Sequence, residues 1–322
     1  WRADRRLAPS TGIVLMTEKP RVAILGAGVI GASWTALFLA RGWDAAVHDP
    51  APDAETRVRA YVETAWPTLE DLGLVDAAQG APSFHADPRD AVAGAAFVQE
   101  SVPERLPIKH ALYAAIEPAL APEAVVASSA SGLTLTEMRA GWRDASRFVL
   151  GHPFNPPHLI PLVEVMGPED AASEAERVYA GLGKTTIRVR KEVPGHVANR
   201  LQAALWREAI HLAAEGVASV GDIDTAVRAG PGLRWAAMGP TMLFHLGAGE
   251  GGLAAFLDRY ADSFETWWRD LGAPSLSTDV KRRLVEGVAA EAGPHSSETL
   301  SRRRDAMIRA TLQATSREIA PG

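Results

Sequence analysis

The sequence predicts an α/β chain with a doubly wound, mostly parallel sheet in its first half and an all-helical domain in its second. Three observations carry this expectation. A short apolar run near the start ends in a glycine-rich turn, and short apolar runs then alternate with helical segments to about residue 190. Beyond Pro194-Gly195 the apolar residues take up a helical period instead.

The chain has 322 residues, 47% hydrophobic and 22% charged, enough for two domains with substantial cores. A formal net charge of -6 argues against nucleic acid as a partner, because neutralising phosphates requires a basic excess. With no cysteine there is no disulfide, no thiolate nucleophile and no Cys-ligated metal, and no metal is expected. No apolar run is long enough to cross a bilayer and no signal-peptide core is found, so a cytoplasmic protein without a membrane partner is expected. Residues 1–15 are Arg-rich and precede Met16, the expected natural start. They read as a non-native or disordered leader, which leaves domains at 16–194 and 195–322.

The first strand, Val22-Ala23-Ile24-Leu25, leads directly into Gly26-Ala27-Gly28-Val29-Ile30-Gly31 and then a helix over 32–41. In that context the glycines have separate uses. Gly26 permits a tight turn, Gly28 lets the backbone approach a pyrophosphate, and Gly31 lets helix and strand pack closely. Val29 and Ile30, between the second and third glycines, are expected beside the cofactor, and the N-terminal amides of the helix that follows would face the phosphates. A second strand over 45–48 ends at Asp49, whose carboxylate can accept from both ribose hydroxyls and would repel a 2'-phosphate. The expected cofactor is NAD, with FAD the main competitor. The order continues with a helical excursion over 53–73, a strand over 97–100, a helix over 105–120, and strands over 124–128, 148–151 and 185–189. Together they describe a Rossmann-type sheet covered on both faces.

After the hinge at Lys191-Glu192-Val193-Pro194-Gly195, helices are expected over 196–215, 222–228, 241–246, 253–270, 279–290 and 298–317. Glycine clusters at 230–232 and 247–252 interrupt them. A helical domain beside a nucleotide-binding sheet commonly closes a substrate cleft and forms a dimer interface.

Within the first domain, Gly151-His152-Pro153-Phe154-Asn155-Pro156-Pro157 is followed by Leu162-Val163-Glu164-Val165. Two short extended runs could set His152 and Glu164 face to face. A neutral imidazole takes a hydroxyl proton well near pH 7, and a carboxylate on its other nitrogen fixes the tautomer and stabilises the imidazolium.

Taken in order, these segments resemble the 3-hydroxyacyl-CoA dehydrogenase superfamily from Met16 onward. The landmarks are the glycine turn, Glu100-Ser101-Val102-Pro103-Glu104 with Lys109, Ser128-Ser129-Ala130-Ser131, the His152 and Glu164 segments, and Pro194-Gly195-His196-Val197-Ala198-Asn199-Arg200. The resemblance implies that His152 is the general acid/base and that Glu164 orients it. It also implies that Ser131 and Asn199 contact the reacting oxygen, and that Glu104 and Lys109 lie near the nicotinamide. Ser131 and Asn199 could instead serve as helix caps. Donors aimed at the oxygen would stabilise the developing carbonyl.

The sequence departs from acyl-CoA members at Ser129 and Pro153, and in the longer segment from Ala229 to Pro240. It looks instead like the branch containing L-carnitine dehydrogenase and L-gulonate 3-dehydrogenase, the latter related to lambda-crystallin. The implied reaction is NAD-dependent oxidation of the 3-hydroxyl of L-carnitine to 3-dehydrocarnitine by a homodimer, the alternatives being an L-gulonate 3-dehydrogenase, a 3-hydroxyacyl-CoA dehydrogenase or a non-catalytic crystallin-like scaffold. A trimethylammonium head donates no conventional hydrogen bond and calls for aromatic faces, for which Trp235, Phe244, Trp206 and Phe154 are candidates, with Glu250 adding charge. A substrate carboxylate calls for a bidentate arginine, Arg234 or Arg200, with Arg234 preferred.

Overall fold

The computed structural model describes residues 19–318; the expected leader at 1–15 and the start at Met16 lie outside them. The chain divides into two compact units, one ending at Glu192 and the other beginning at Val193.

The first unit runs β1 (Arg21–Leu25), α1 (Val29–Ala40), β2 (Asp44–His48), α2 (Ala54–Asp71), β3 (Ser83–Phe84), α3 (Pro88–Val92) and β4 (Phe97–Glu100). It continues with α4 (Leu106–Ile116), β5 (Val125–Ser128), α5 (Leu135–Arg139), β6 (Phe148–Pro153), β7 (Leu162–Met166), α6 (Glu169–Gly181) and β8 (Thr185–Arg188). The eight strands form one sheet in the order β3-β2-β1-β4-β5-β6-β7-β8. Strand order reverses between β1 and β4, which makes a crevice at the carboxyl ends of these strands the place where such sheets take ligands. Every neighbouring pair is parallel except β6 and β7.

Successive strand residues point to opposite faces, and the core follows that alternation. Val22, Ile24 and Val47 pack with Trp34, Leu37 and Phe38 of α1, Val58 and Val62 of α2, and Tyr179 of α6. Ala23, Leu25 and Val98 pack on the other face with Tyr113 and Ile116 of α4 and Met138 of α5. Helix α1 is apolar nearly all round and is correspondingly buried along most of its length.

Helix α6 has no counterpart among the expected elements. Its Ala171, Ala172, Ala175, Val178 and Tyr179 recur at helical spacing and are buried. The helix expected to reach residue 120 ends at Ile116, and Glu117–Ala119 form a single 3-10 turn at Pro118, a residue with no amide to donate.

The described residues of the second unit form helices and no strand: α7 (Ala198–Ala214), α8 (Val220–Ala229), α9 (Pro231–Ala237), α10 (Pro240–Gly247), α11 (Gly252–Asp270), α12 (Thr278–Ala292) and α13 (Ser297–Glu318). Helix α9 stands where a glycine interruption was expected. Gly230 is its N-cap and Pro231 its first residue, a position where the missing proline amide is no loss. Helix α7 packs with α8 and α12, and α10 with α11. Ile210 and Ile223 are the buried large hydrophobic side chains among the described residues of this unit, whereas Leu257, Trp267, Trp268, Val285 and Met307 are more than half exposed.

Candidate active site

The glycine turn follows directly from β1. Gly26 has φ +89°, and a Cβ there would stand 2.7 Å from the Ser101 backbone; a Cβ on Gly31 would stand 1.8 Å from the Gly26 carbonyl oxygen. Both positions therefore require glycine for the protein's own packing. Gly28 differs. It is the N-cap of α1 with no side-chain cap, and a Cβ there would meet nothing within 4 Å. Val29 is exposed beside it and Ile30 is half-buried. Space above Gly28 and uncapped helix amides are what an approaching pyrophosphate needs. Asp49, just past β2, takes the Ala27 amide on Oδ2 at 2.6 Å and the Ala51 amide on Oδ1 at 2.9 Å. It fastens the turn while keeping lone pairs for hydroxyl donors. These residues fit a dinucleotide.

One strand further, Glu100 ends β4 at zero exposure and accepts five hydrogen bonds from four donor groups. Lys109 Nζ donates to both its oxygens at 2.6 and 2.9 Å, Tyr113 Oη and Ser128 Oγ donate at 2.8 and 2.6 Å, and the Val102 amide at 2.8 Å. Burial and the adjacent carboxylate push the Tyr113 phenol up, which keeps it a donor. Lys109 is thus engaged by the protein itself. Its side chain is 1% exposed and turned into the sheet, because an acid with no access to water demands a cation beside it. Glu104 does not join that cluster; its carboxylate accepts from the amides of Ser131, Gly132 and Leu133 at 2.6 to 3.3 Å. It thus shapes the exposed loop carrying Ser131.

His152 and Glu164 are register partners across the antiparallel pair β6–β7. His152 Nδ1 donates to Glu164 Oε2 at 2.8 Å, with both side chains nearly or wholly buried. That bond sets the tautomer and puts the basic lone pair on Nε2. Phe154 meets the imidazole edge-on at 5.4 Å between ring centres. Since β1, β4, β5 and β6 are mutually parallel, the glycine turn, Glu100, Ser128 and His152 all fall at the carboxyl edge of one sheet.

The remaining expected residues belong to the second unit. Asn199 and Arg200 lie in the first turn of α7, and the Arg200 guanidinium reaches the Pro194 carbonyl. Trp206 is exposed on α7, as are Arg234 and Trp235 on α9. Phe244 has one face stacked on Phe256 at 4.7 Å and meets Phe264 at 5.5 Å, so it is part of an aromatic cluster within α10 and α11. Glu250 lies in a single 3-10 turn between those helices. Among the described residues no group of three or more His, Asp or Glu could hold a metal ion, and no helix is long and apolar enough to cross a membrane.

Sequence reasoning assigned no role to Glu100, Lys184 or Ser33. Glu100 could have been found as a lone acid ending an apolar strand; Lys184 and Ser33 carry no local signal.

Residues 21–193 match the model of the 3-hydroxyacyl-CoA dehydrogenase NAD binding domain, and residues 195–282 that of the C-terminal domain. The chain belongs to the 3-hydroxyacyl-CoA dehydrogenase family. It is an NAD-dependent hydroxy acid dehydrogenase. It is 49% identical over 302 residues to the L-carnitine dehydrogenase of Streptomyces coelicolor, an alignment covering 92% of this chain and 95% of that one. With the L-carnitine dehydrogenase of Burkholderia mallei it shares 45% identity over 307 residues, 94% and 96% of the two chains. A similar solved structure is that of 5-formyl-3-hydroxy-2-methylpyridine 4-carboxylic acid 5-dehydrogenase, an NAD+ dependent dismutase. It matches with a TM-score of 0.80 at 29% identity over 93% of this chain and 99% of that one.

Proposed function

We propose that this family member oxidises the 3-hydroxyl of L-carnitine to 3-dehydrocarnitine, with His152 as general base. The 2.8 Å contact between His152 Nδ1 and Glu164 is the observation that carries the chemistry, and the full-length likeness to L-carnitine dehydrogenases supports the substrate. NAD, when bound, supplies the acceptor for the hydride leaving the carbinol carbon. His152 takes the hydroxyl proton on Nε2, and Glu164 stabilises the resulting imidazolium. Ser131 and Asn199 donate to the oxygen as it becomes a carbonyl. Arg234 pairs with the substrate carboxylate, while Trp235, Trp206, Phe154 and Phe244 receive the trimethylammonium head.

The exposed apolar side chains of the helical unit support a homodimer, since a second copy would remove Trp267, Trp268 and Leu257 from water. This reading places the enzyme in the cytoplasm. The deciding experiment presents purified protein with NAD and a panel of L-carnitine, L-gulonate and a 3-hydroxyacyl-CoA, following NADH absorbance. NADH formation with L-carnitine is expected. Turnover confined to either other substrate rejects the substrate assignment, and NADH binding without any turnover favours a scaffold.

A further inference from the structure

The connection between β6 and β7, residues 154–161, begins two residues after His152 and ends three before Glu164. Two separate parts of the fold grip it. From the turn between α6 and β8, the Lys184 amine donates to the carbonyls of Pro157 and Ile160, the latter at 3.0 Å. From α1, Ser33 Oγ accepts the His158 amide at 2.8 Å and lies 2.9 Å from His158 Nδ1. Tyr61 of α2 reaches the same nitrogen at 3.3 Å. The two grips are adjacent, because Lys184 Nζ stands 5.5 Å from the ring centre of Trp34, the residue after Ser33.

Lys184 is 8% exposed and has no carboxylate among its contacts; it meets two carbonyls and the face of an indole. Burial pushes its amine down to about 7. A methionine would fill this volume without desolvating a charge, so the amine has to be judged by its two hydrogen bonds. Both fall on the loop joining the base to its orienting acid.

We infer that Lys184 is a positioning residue: with Ser33 it holds the β6–β7 connection so that His152 and Glu164 stay aligned, and it ties the pair to the helix that carries the dinucleotide turn. The inference rests on reading His152 as the base. A displacement on the order of 1 Å at a reacting group can lower the rate about 10²-fold, so a loop held from both sides is a direct lever on turnover.

The test uses full-length Lys184→Met and Ser33→Ala proteins, alone and combined. In each single variant kcat is expected to fall about 10- to 100-fold, while KM for the hydroxy acid and the NADH dissociation constant stay within about threefold of the parent. The downfield proton resonance of the His152–Glu164 bond, assigned as the one missing from His152→Ala, is expected to shift or broaden. The combined variant should lose less than the product of the single effects, since both act through one loop. Should Lys184→Met fail to fold, Ser33→Ala carries the same readouts. A folded variant with parental kcat and an unmoved resonance overturns the positioning role. Full turnover in His152→Ala overturns the reading beneath it, which separates the two failures.

Discussion

His152 and Glu164 stand directly opposite each other on adjacent antiparallel strands, joined by a 2.8 Å hydrogen bond from Nδ1 to Oε2. Their alignment is therefore a property of backbone register, and each can be removed without disturbing the glycine turn.

His152→Ala is expected to lower kcat about 10²- to 10⁴-fold while NADH binds as in the parent. Glu164→Gln, which keeps the shape but removes the charge, should lower kcat less than His152→Ala. Steady-state kinetics alongside NADH fluorescence titration check both; retained turnover in His152→Ala would place the base elsewhere.

Gly28 and Gly31 should separate binding from folding. A Cβ on Gly28 meets only open space, so Gly28→Ala should keep the melting temperature and weaken NADH binding. A Cβ on Gly31 collides with the Gly26 carbonyl, and Gly31→Ala should lower the melting temperature on the order of 5 °C as well as weakening binding. Scanning calorimetry and NADH titration of the two proteins make the comparison.

Glu100→Ala leaves Lys109 charged in a dry interior and is expected to destabilise the first unit by about 3 to 5 kcal/mol. Adding Lys109→Met should recover part of that loss, because the orphaned cation goes with it. Denaturant midpoints of the single and double variants test this, and strictly additive losses would argue against an ion pair of any weight.

Lys184 predicts a pH dependence of stability. Its amine titrates at about 7 in the folded protein against 10.5 for an ordinary lysine, with burial as the cause. The unfolded chain therefore holds more protons between those values, and this residue's contribution to stability rises with pH across that window. The burial penalty is fully present below about pH 7 and relieved towards pH 10.5, with a ceiling of about 5 kcal/mol. The stability advantage of Lys184→Met over the parent should shrink as pH increases from 6.5 to roughly 9.5, in denaturant melts at each pH. An advantage independent of pH would show that the amine is not desolvated.

The architecture was legible because burial on both faces writes β1, β2 and β5 as short, largely apolar runs, and because turn chemistry marks the glycine loop. The His152–Glu164 pair was legible for a different reason: a hairpin keeps its partners close in sequence. What the sequence did not disclose depends on contacts between distant segments. The ion pair of Lys109 with Glu100 is one such contact, and the sheet brings Tyr113 and Ser128 to the same carboxylate. Lys184 is separated from the carbonyls it holds by more than twenty residues, and no local pattern announces such a bond. Helix α6 was missed although its small apolar residues keep helical spacing, because four of its five buried positions there are alanine or a single valine and give a weak contrast.

The antiparallel β6–β7 pair has one more consequence. Because so little chain separates the two partners, the entropy of bringing them together is small, and the proton-transfer apparatus can zip up as a local event. A slip of one residue in the pairing of β7 would instead turn every side chain of that strand to the opposite face, exchanging Glu164 for an aliphatic neighbour. The pairing register of β6 and β7 is thus what keeps the acid on the same face as the imidazole.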